Sequence, residues 1–232
     1  AFRLHEGLKT AGVESHMVVR HKYLDDDSVK EAGGGLMRRI VREVSATFDY
    51  LPVRLYPHRN EVVWSTGWLF HDIASLVRRM RPDLVHLHWV GQGFVPMSAV
   101  PRFRVPLVWT LHDPWPLTGG CHYPSGCERF TTSCGRCPQL QSGRDSDVTR
   151  WIWKRKHHFW RQTHIATVAA SQWMQQLAQS SSLFGSRTCE VIRYYLDPAV
   201  FKPLDRTAAR RVFNLPDDRP IILMGAIRST SD

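Results

Sequence analysis

The chain has 232 residues, 43% of them hydrophobic and 22% charged, with a formal net charge of +10. That length can bury a sizeable core in one large domain or two small ones, and the composition excludes a disordered chain. No stretch approaches the roughly 18 uninterrupted apolar residues of a spanning helix, and the opening AFRLHEGLKTAG lacks the pattern of a secretory leader, so an integral membrane protein is not expected.

In chain order the pattern alternates helix and strand. Phe2, Leu4 and Leu8 predict a helix over 2–11, stopped at Gly12, and 15–20 a short strand. The DDD and GGG of 22–35 predict a solvated loop. Residues 36–48 carry apolar side chains at helical spacing, whereas 49–70 shows no clear period. A helix over 71–80 precedes two buried-type strands, 84–90 (LVHLHWV) and 105–113 (VPLVWTLHD). Gly, Pro and Cys then crowd into an irregular insertion, 114–146. A helix restarts after Asp147 as its N-cap. A strand over 164–171, a helix over 171–179, a strand over 189–196, a helix over 205–213 and a strand over 220–227 complete the chain. Strands spaced by helices predict an α/β fold, a Rossmann-like parallel sheet covered on both faces. Ligands of such sheets sit at the carboxyl ends of strands, where His88, Trp89, His112 and Asp113 fall.

Those residues belong to LVHLHWVGQGF and PLVWTLHDPWPLTGGCHYPSGCERFTTSCGRCPQL. Over these blocks the sequence resembles bacterial glycosyltransferases of the family 4 type, especially the branch that builds exopolysaccharide such as colanic acid. AASQWMQQL, LDPAVFKPLDRTAARRVFNLP and ILMGAI are further likenesses. The resemblance implies the GT-B architecture, two Rossmann-like domains facing across a cleft, with acceptor on the N-terminal domain and nucleotide-sugar on the C-terminal one. It assigns 1–202 to the acceptor-side domain and 203–232 to the connector and first strand of a donor-binding domain. It further implies retaining transfer of a sugar from a nucleotide-diphosphate donor to a glycan or lipid-linked acceptor. No cofactor is needed for catalysis, and the work is placed in the cytoplasm, at the inner face of the plasma membrane. The chain departs from the pattern in three places. The glycine-rich loop before the first helix and the donor-gripping residues of the second domain are not in it, and the usual Asn-Gly before the connector's Asp reads Arg193-Tyr194-Tyr195-Leu196-Asp197.

His112, at a strand end, can hydrogen-bond sugar hydroxyls and titrates near neutrality; the resemblance places it against the transferred sugar as the catalytic residue. The alternative is a histidine satisfied by a backbone carbonyl at the strand end. Asp113 orients this loop or touches substrate. His86 and His88 point the same way, but no carboxylate or third His stands nearby to complete a metal site. Trp89 offers an aromatic face for a sugar ring, or packs. Gly91 and Gly93 lack the longer phosphate-loop fingerprint, and Gly119 and Gly120 open the loop expected to shape the acceptor side.

Cys121, Cys127, Cys134 and Cys137 lie within 17 residues as C-x5-C-x6-C-x2-C. The closing C-x2-C suits a structural zinc, with His122 able to replace one thiol; two disulfides or free thiols are the alternatives. The helix bearing Trp151, Trp153, Lys154, Arg155, Lys156 and Trp160 leaves 154–156 solvated, where they would meet anionic lipid or simply water. Charge, Trp content and the Cys knuckle also fit a rival class, a zinc-stapled nucleic-acid-binding module. Its basic residues are scattered over many helices, however, so nucleic acid is not the expected partner; affinity falling steeply with salt would identify it.

Overall fold

The computed structural model describes residues 1–32 and 36–223, without the side chains of 36–43. Helices α1 (Phe2–Thr10), α2 (Leu36–Arg54), α3 (Ile73–Arg79), α4 (Val148–Trp160), α5 (Gln172–Ser180) and α6 (Arg206–Val212) alternate with parallel strands. β1 (Met17–Val19) pairs with β2 (Val29–Glu31). β3 (Val85–Leu87), β4 (Leu107–Leu111), β5 (Ile165–Ala169) and β6 (Cys189–Val191) lie side by side in chain order. Val85 is level with Leu107, Leu107 with Ile165, and Thr167 with Cys189. This is the Rossmann-like α/β sheet expected from the alternation.

Two compact units are present, residues 1–194 and 195–232. In the second, Asp205 caps α6 by accepting the Ala208 N–H at 2.8 Å, and Arg210 holds the carbonyls of Pro216 and Arg219. Residues 220–223 are not in a strand, and the rest of the strand expected over 220–227 lies outside the described residues.

Local chemistry explains the other departures. The predicted loop 22–35 contains β2, because Asp26 turns the chain by accepting the Ser28 N–H at 2.8 Å and returns it beside β1. Helix α2 continues past Phe48 to Arg54, with Pro52 in its last turns. β3 and β6 stop at Leu87 and Val191, short of the predicted strands, so His88, Trp89 and Tyr194 leave the sheet.

In the core, Leu107, Trp109 and Leu111 share one face of β4 and are buried. Trp109 packs edge-on against Trp160 at 5.2 Å and Phe184 at 6.1 Å, geometries that add to plain area burial. Trp160 comes from α4, whose buried residues Thr149, Ile152, Lys156 and Trp160 recur at helical spacing. Lys156 is 0% exposed, which corrects the expectation of a solvated 154–156 face. Lys154 is exposed, while the Arg155 guanidinium lies over the rings of Trp151 and Phe159 at 5.1 and 5.3 Å. The three cations therefore do not form one surface for lipid. Among the described residues, no helix is long and apolar enough to cross a membrane.

Asp147 starts α4 as the sequence indicated. It is 2% exposed and accepts the N–H groups of Thr149, Arg150 and Cys137. Asp147→Ala should lower unfolding free energy by about 2–4 kcal/mol, the sum of a lost cap and a stranded buried N–H. Urea denaturation checks this; a loss below about 0.5 kcal/mol, the level of an ordinary surface change, would show that the cap is dispensable.

Candidate active site

β3 and β4 run parallel, so the residues after Leu87 and after Leu111 emerge at the same end of the sheet. His88, Trp89, His112, Asp113, Trp115 and His122 meet there and line one pocket. His112, partly buried, has its Nε2 2.9 Å from His88 Nδ1 and its Nδ1 2.7 Å from the Tyr194 hydroxyl, whose ring stacks on it at 5.4 Å. The ring of His86 stacks on His88 at 4.4 Å, and its Nε2 lies 2.8 Å from Thr110 Oγ1. Among the described residues, these imidazoles are not part of a group of three metal-ligating atoms within 4.8 Å of one another.

Burial lowers the pKa of His86, His88 and His112, that of His88 to about 3 with the neighbouring imidazoles adding repulsion. A neutral imidazole has one N–H and one lone pair, so a line of them is a chain of directed hydrogen bonds rather than a patch of charge. Burial and the charge of Asp113 raise the Tyr194 hydroxyl above its usual value, which keeps it a donor. Tyr194 was not among the sequence candidates. The only signal was its place in Arg193-Tyr194-Tyr195, where the resembling enzymes carry Asn-Gly.

Asp113 faces inward at 8% exposure. One carboxylate oxygen accepts from Trp89 Nε1 and His122 Nδ1, each at 2.7 Å; the other accepts the Trp115 N–H at 2.8 Å. Burial alone would raise its pKa, but the hydrogen bond and charge of His122, with the Trp115 and Trp89 donors, hold it below the ordinary range. Three protein donors thus converge on this carboxylate, and through one of them Asp113 positions Trp89. Trp89 itself is 43% exposed and, with its nitrogen anchored, presents a ring to the pocket.

His122 Nε2 lies 2.8 Å from Ser65 Oγ, which also accepts the Gln92 N–H at 2.7 Å. Carboxylate, imidazole and hydroxyl stand in the order of a nucleophilic triad. Ser65 is 0% and His122 2% exposed, so no substrate reaches the hydroxyl and the line is a brace. With both nitrogens engaged, His122 does not replace a cysteine as metal donor. The brace extends to α2. The buried Asp49 accepts the N–H groups of Thr66 and Gly67 at 3.0 and 2.6 Å, and burial raises its pKa against those bonds. Sequence reasoning missed Asp49 because it falls where the helical period fades.

The glycines serve close approach. A Cβ on Gly91 would stand 2.7 Å from Ser65 Oγ, and one on Gly119 2.4 Å from the Thr149 carbonyl. Gly119 and Gly120 are buried against α4 and are not among the residues lining this pocket. All five cysteines are unpaired. Burial pushes Cys121 and Cys134 up to about 12 and Cys137 up to about 11, which excludes a reactive thiolate among them as free thiols. His5, Glu6 and Asp26 group at metal-like spacing, but their donor atoms serve Ser15, Ser28 and Lys9. The nucleic-acid reading gains nothing from the structure: Lys156 is buried, and Arg187 and Arg78 bind backbone carbonyls.

Residues 1–199 match the model of Glycosyltransferase Family 4. Over 211 residues the chain is 25% identical to a putative colanic acid biosynthesis glycosyl transferase, WcaC, of Escherichia coli (strain K12), covering 86% of this chain and 51% of that protein. The chain thus spans about half the length of this curated relative. No solved structure matches it.

The histidine line sets a pH dependence. The unfolded chain takes up protons on these imidazoles below about 6.5, whereas folded His88 does so only near pH 3. The unfolded state therefore binds more protons across this window, and stability should fall as the pH drops from about 6.5 towards 3. Urea midpoints at pH 7 and pH 5 measure the slope. His88→Gln should flatten it, and an unchanged slope would place the acid sensitivity elsewhere.

Proposed function

The chain belongs to glycosyltransferase family 4, and from that premise we propose that it forms the acceptor-side half of a GT-B enzyme of exopolysaccharide assembly. The enzyme transfers a hexose, with retention, from a nucleotide-diphosphate donor to a glycan or lipid-linked acceptor on the cytoplasmic side of the membrane. The observation that carries this reading is His112, held between Tyr194 and His88 at the strand ends beside an exposed Trp89 ring.

An aromatic face next to directed, uncharged hydrogen-bonding groups suits a sugar, which offers C–H faces and hydroxyls but no charge. In the transfer, a hydroxyl of the migrating sugar would replace one of the two protein partners of His112, Tyr194 or His88, as positive character develops at its anomeric carbon. A neutral imidazole tolerates that carbon, where an imidazolium would repel it. Tyr194 and His88 fix the tautomer and tilt of His112, and Asp113 fixes Trp89 through its nitrogen. The departing diphosphate needs cationic or N–H donors, which the second domain of the family would supply. The relative's involvement in colanic acid biosynthesis is what suggests the exopolysaccharide acceptor.

In the chain joined to a family donor-binding domain, His112→Ala should lower turnover by at least ~10²-fold, the low end for lost polar or acid–base assistance. Trp89→Ala should chiefly raise the acceptor KM. Steady-state kinetics with circular dichroism on each variant reads both effects. Full activity per folded molecule in His112→Ala would remove His112 from the reaction.

A further inference from the structure

Cys121, Cys127 and the Cys134–Cys137 turn are spread along the insertion, yet all four cysteines line one small cavity bounded also by Gly119, Phe130 and Thr149. The backbone is shaped for this. Cys134, Gly135 and Arg136 are left-handed in succession, φ 51°, 89° and 44°, which folds the C-x2-C turn so that both its sulfurs reach the same space. Non-glycine residues keep that conformation only where their surroundings over-determine it. One amide is aimed at a sulfur as well: the Gly119 N–H donates to Cys134 Sγ at 3.1 Å, while the Leu140 N–H bonds the Cys137 carbonyl at 3.2 Å. Donors on sulfur favour the thiolate, the form that ligates metal.

The segment has little else to hold it. Between residues 121 and 146 there is no α-helix or strand, only the turns Arg129–Thr131 and Pro138–Leu140. Phe130 and Leu140 are its only large apolar side chains in the core. A long irregular segment inside a compact unit needs a tie. Lys156 supplies a second, independent observation. Its ammonium is 0% exposed and bonds the carbonyls of Trp115 and Thr118. Among the described residues no carboxylate lies in ion-pair range of it, and its foremost acidic neighbours are Cys121 and Cys134.

We propose that Cys121, Cys127, Cys134 and Cys137 bind one zinc ion in a closed tetrahedral site, a structural centre separate from the sugar pocket, with Lys156 as its buried counter-charge. Four soft sulfurs with no open position are the donor set of structural zinc and not of a catalytic ion. Binding exchanges four S–H protons, released to water, for four Zn–S bonds, and leaves the centre with a net charge of −2. That charge needs a cation beside it in the interior, and Lys156 stands there. As neutral thiols, no three of the sulfurs lie within 4.8 Å of one another. Thiols lack mutual attraction; the ion provides it, and side-chain rotation around a shared cavity completes the sphere. His122 stays outside, since Asp113 and Ser65 occupy its nitrogens.

The test uses residues 1–232 made in a reducing cytoplasm and purified without chelator. Elemental analysis should find about one zinc per chain. Four of the five thiols should resist a thiol reagent until a chelator is added. Replacing zinc with cobalt(II) should give thiolate-to-cobalt charge transfer and the intense d–d bands of a tetrahedral site. Because loss of a ligand can unfold the insertion, this spectrum on the intact chain decides the ligand set. Lys156→Met should keep the cobalt spectrum while weakening zinc at least tenfold in competition with a chelator. The zinc site is overturned by a metal-free protein with freely reacting thiols, by two disulfides in the peptide map, or by an octahedral cobalt spectrum. Unaltered affinity in Lys156→Met overturns the counter-charge. None of these readouts depends on sugar transfer.

Discussion

An ammonium taken out of water costs several kcal/mol unless other groups replace its hydration, and the centre of this domain is organised around one. Lys156 points into the core from α4 with no exposed surface. The carbonyls of Trp115 and Thr118 accept its protons, and the Trp115 ring lies 3.9 Å from its nitrogen. Burial draws its pKa down to about 7, with the nearby thiols and the carboxylates of Asp113 and Asp49 opposing the shift. Those two carbonyls flank the short turn that separates the pocket residue Asp113 from the first cysteine. One side chain therefore sets the distance between sheet, pocket and insertion.

From that anchor the pocket is built by a continuous line of buried hydrogen bonds. Trp115 donates its indole N–H to the Ser65 carbonyl at 2.6 Å and its backbone N–H to Asp113 at 2.8 Å. Asp113 then holds Trp89 and His122, and His122 holds Ser65. Residues 63–65 run antiparallel to 120–122, through the Ser65 N–H to the Gly120 carbonyl and the His122 N–H to the Val63 carbonyl. The insertion is thereby stitched to the segment that Asp49 fixes. Each buried polar group in this line has a partner, as a low-dielectric interior requires. The result is a rigid rear wall for two side chains at the front, Trp89 and His112.

What could be read beforehand was what depends on local chemistry. Asp147 caps its helix because a short oxygen-bearing side chain suits that position in any protein. The strand ends were legible because apolar runs stop where polar residues begin, and this alone placed His88, Trp89, His112 and Asp113 together. Lys156 shows the opposite case. Ile152, Lys156 and Trp160 follow helical spacing, so the period put the lysine in the core while its charge argued for water. The period won because carbonyls were waiting, and those carbonyls belong to a turn some forty residues earlier. Tyr194, Asp49 and the packing of Gly119 likewise depend on partners distant in the chain, and β2 on a pairing that three aspartates and a serine disguise as a loop. The cysteine spacing pointed to a shared site, but only the fold shows that all four thiols face one cavity.

The character of the pocket bears on what it can hold. Among the described residues, its lining contains neither Lys nor Arg. The imidazoles of His88 and His112 are drawn towards neutrality by burial, and the Tyr194 hydroxyl is kept protonated. Its one carboxylate is turned inward to the brace. Such a surface is poor at holding a diphosphate, whose charge would be left uncompensated in a partly dry site. It is good at holding a neutral ring with hydroxyls, because directed donors and acceptors lose little to competing charge there. The chain's net charge of +10 is therefore not gathered where the chemistry is expected. It lies elsewhere on the molecule, apart from the buried Lys156, and under the proposed transfer the donor's phosphates would fall to groups outside this pocket.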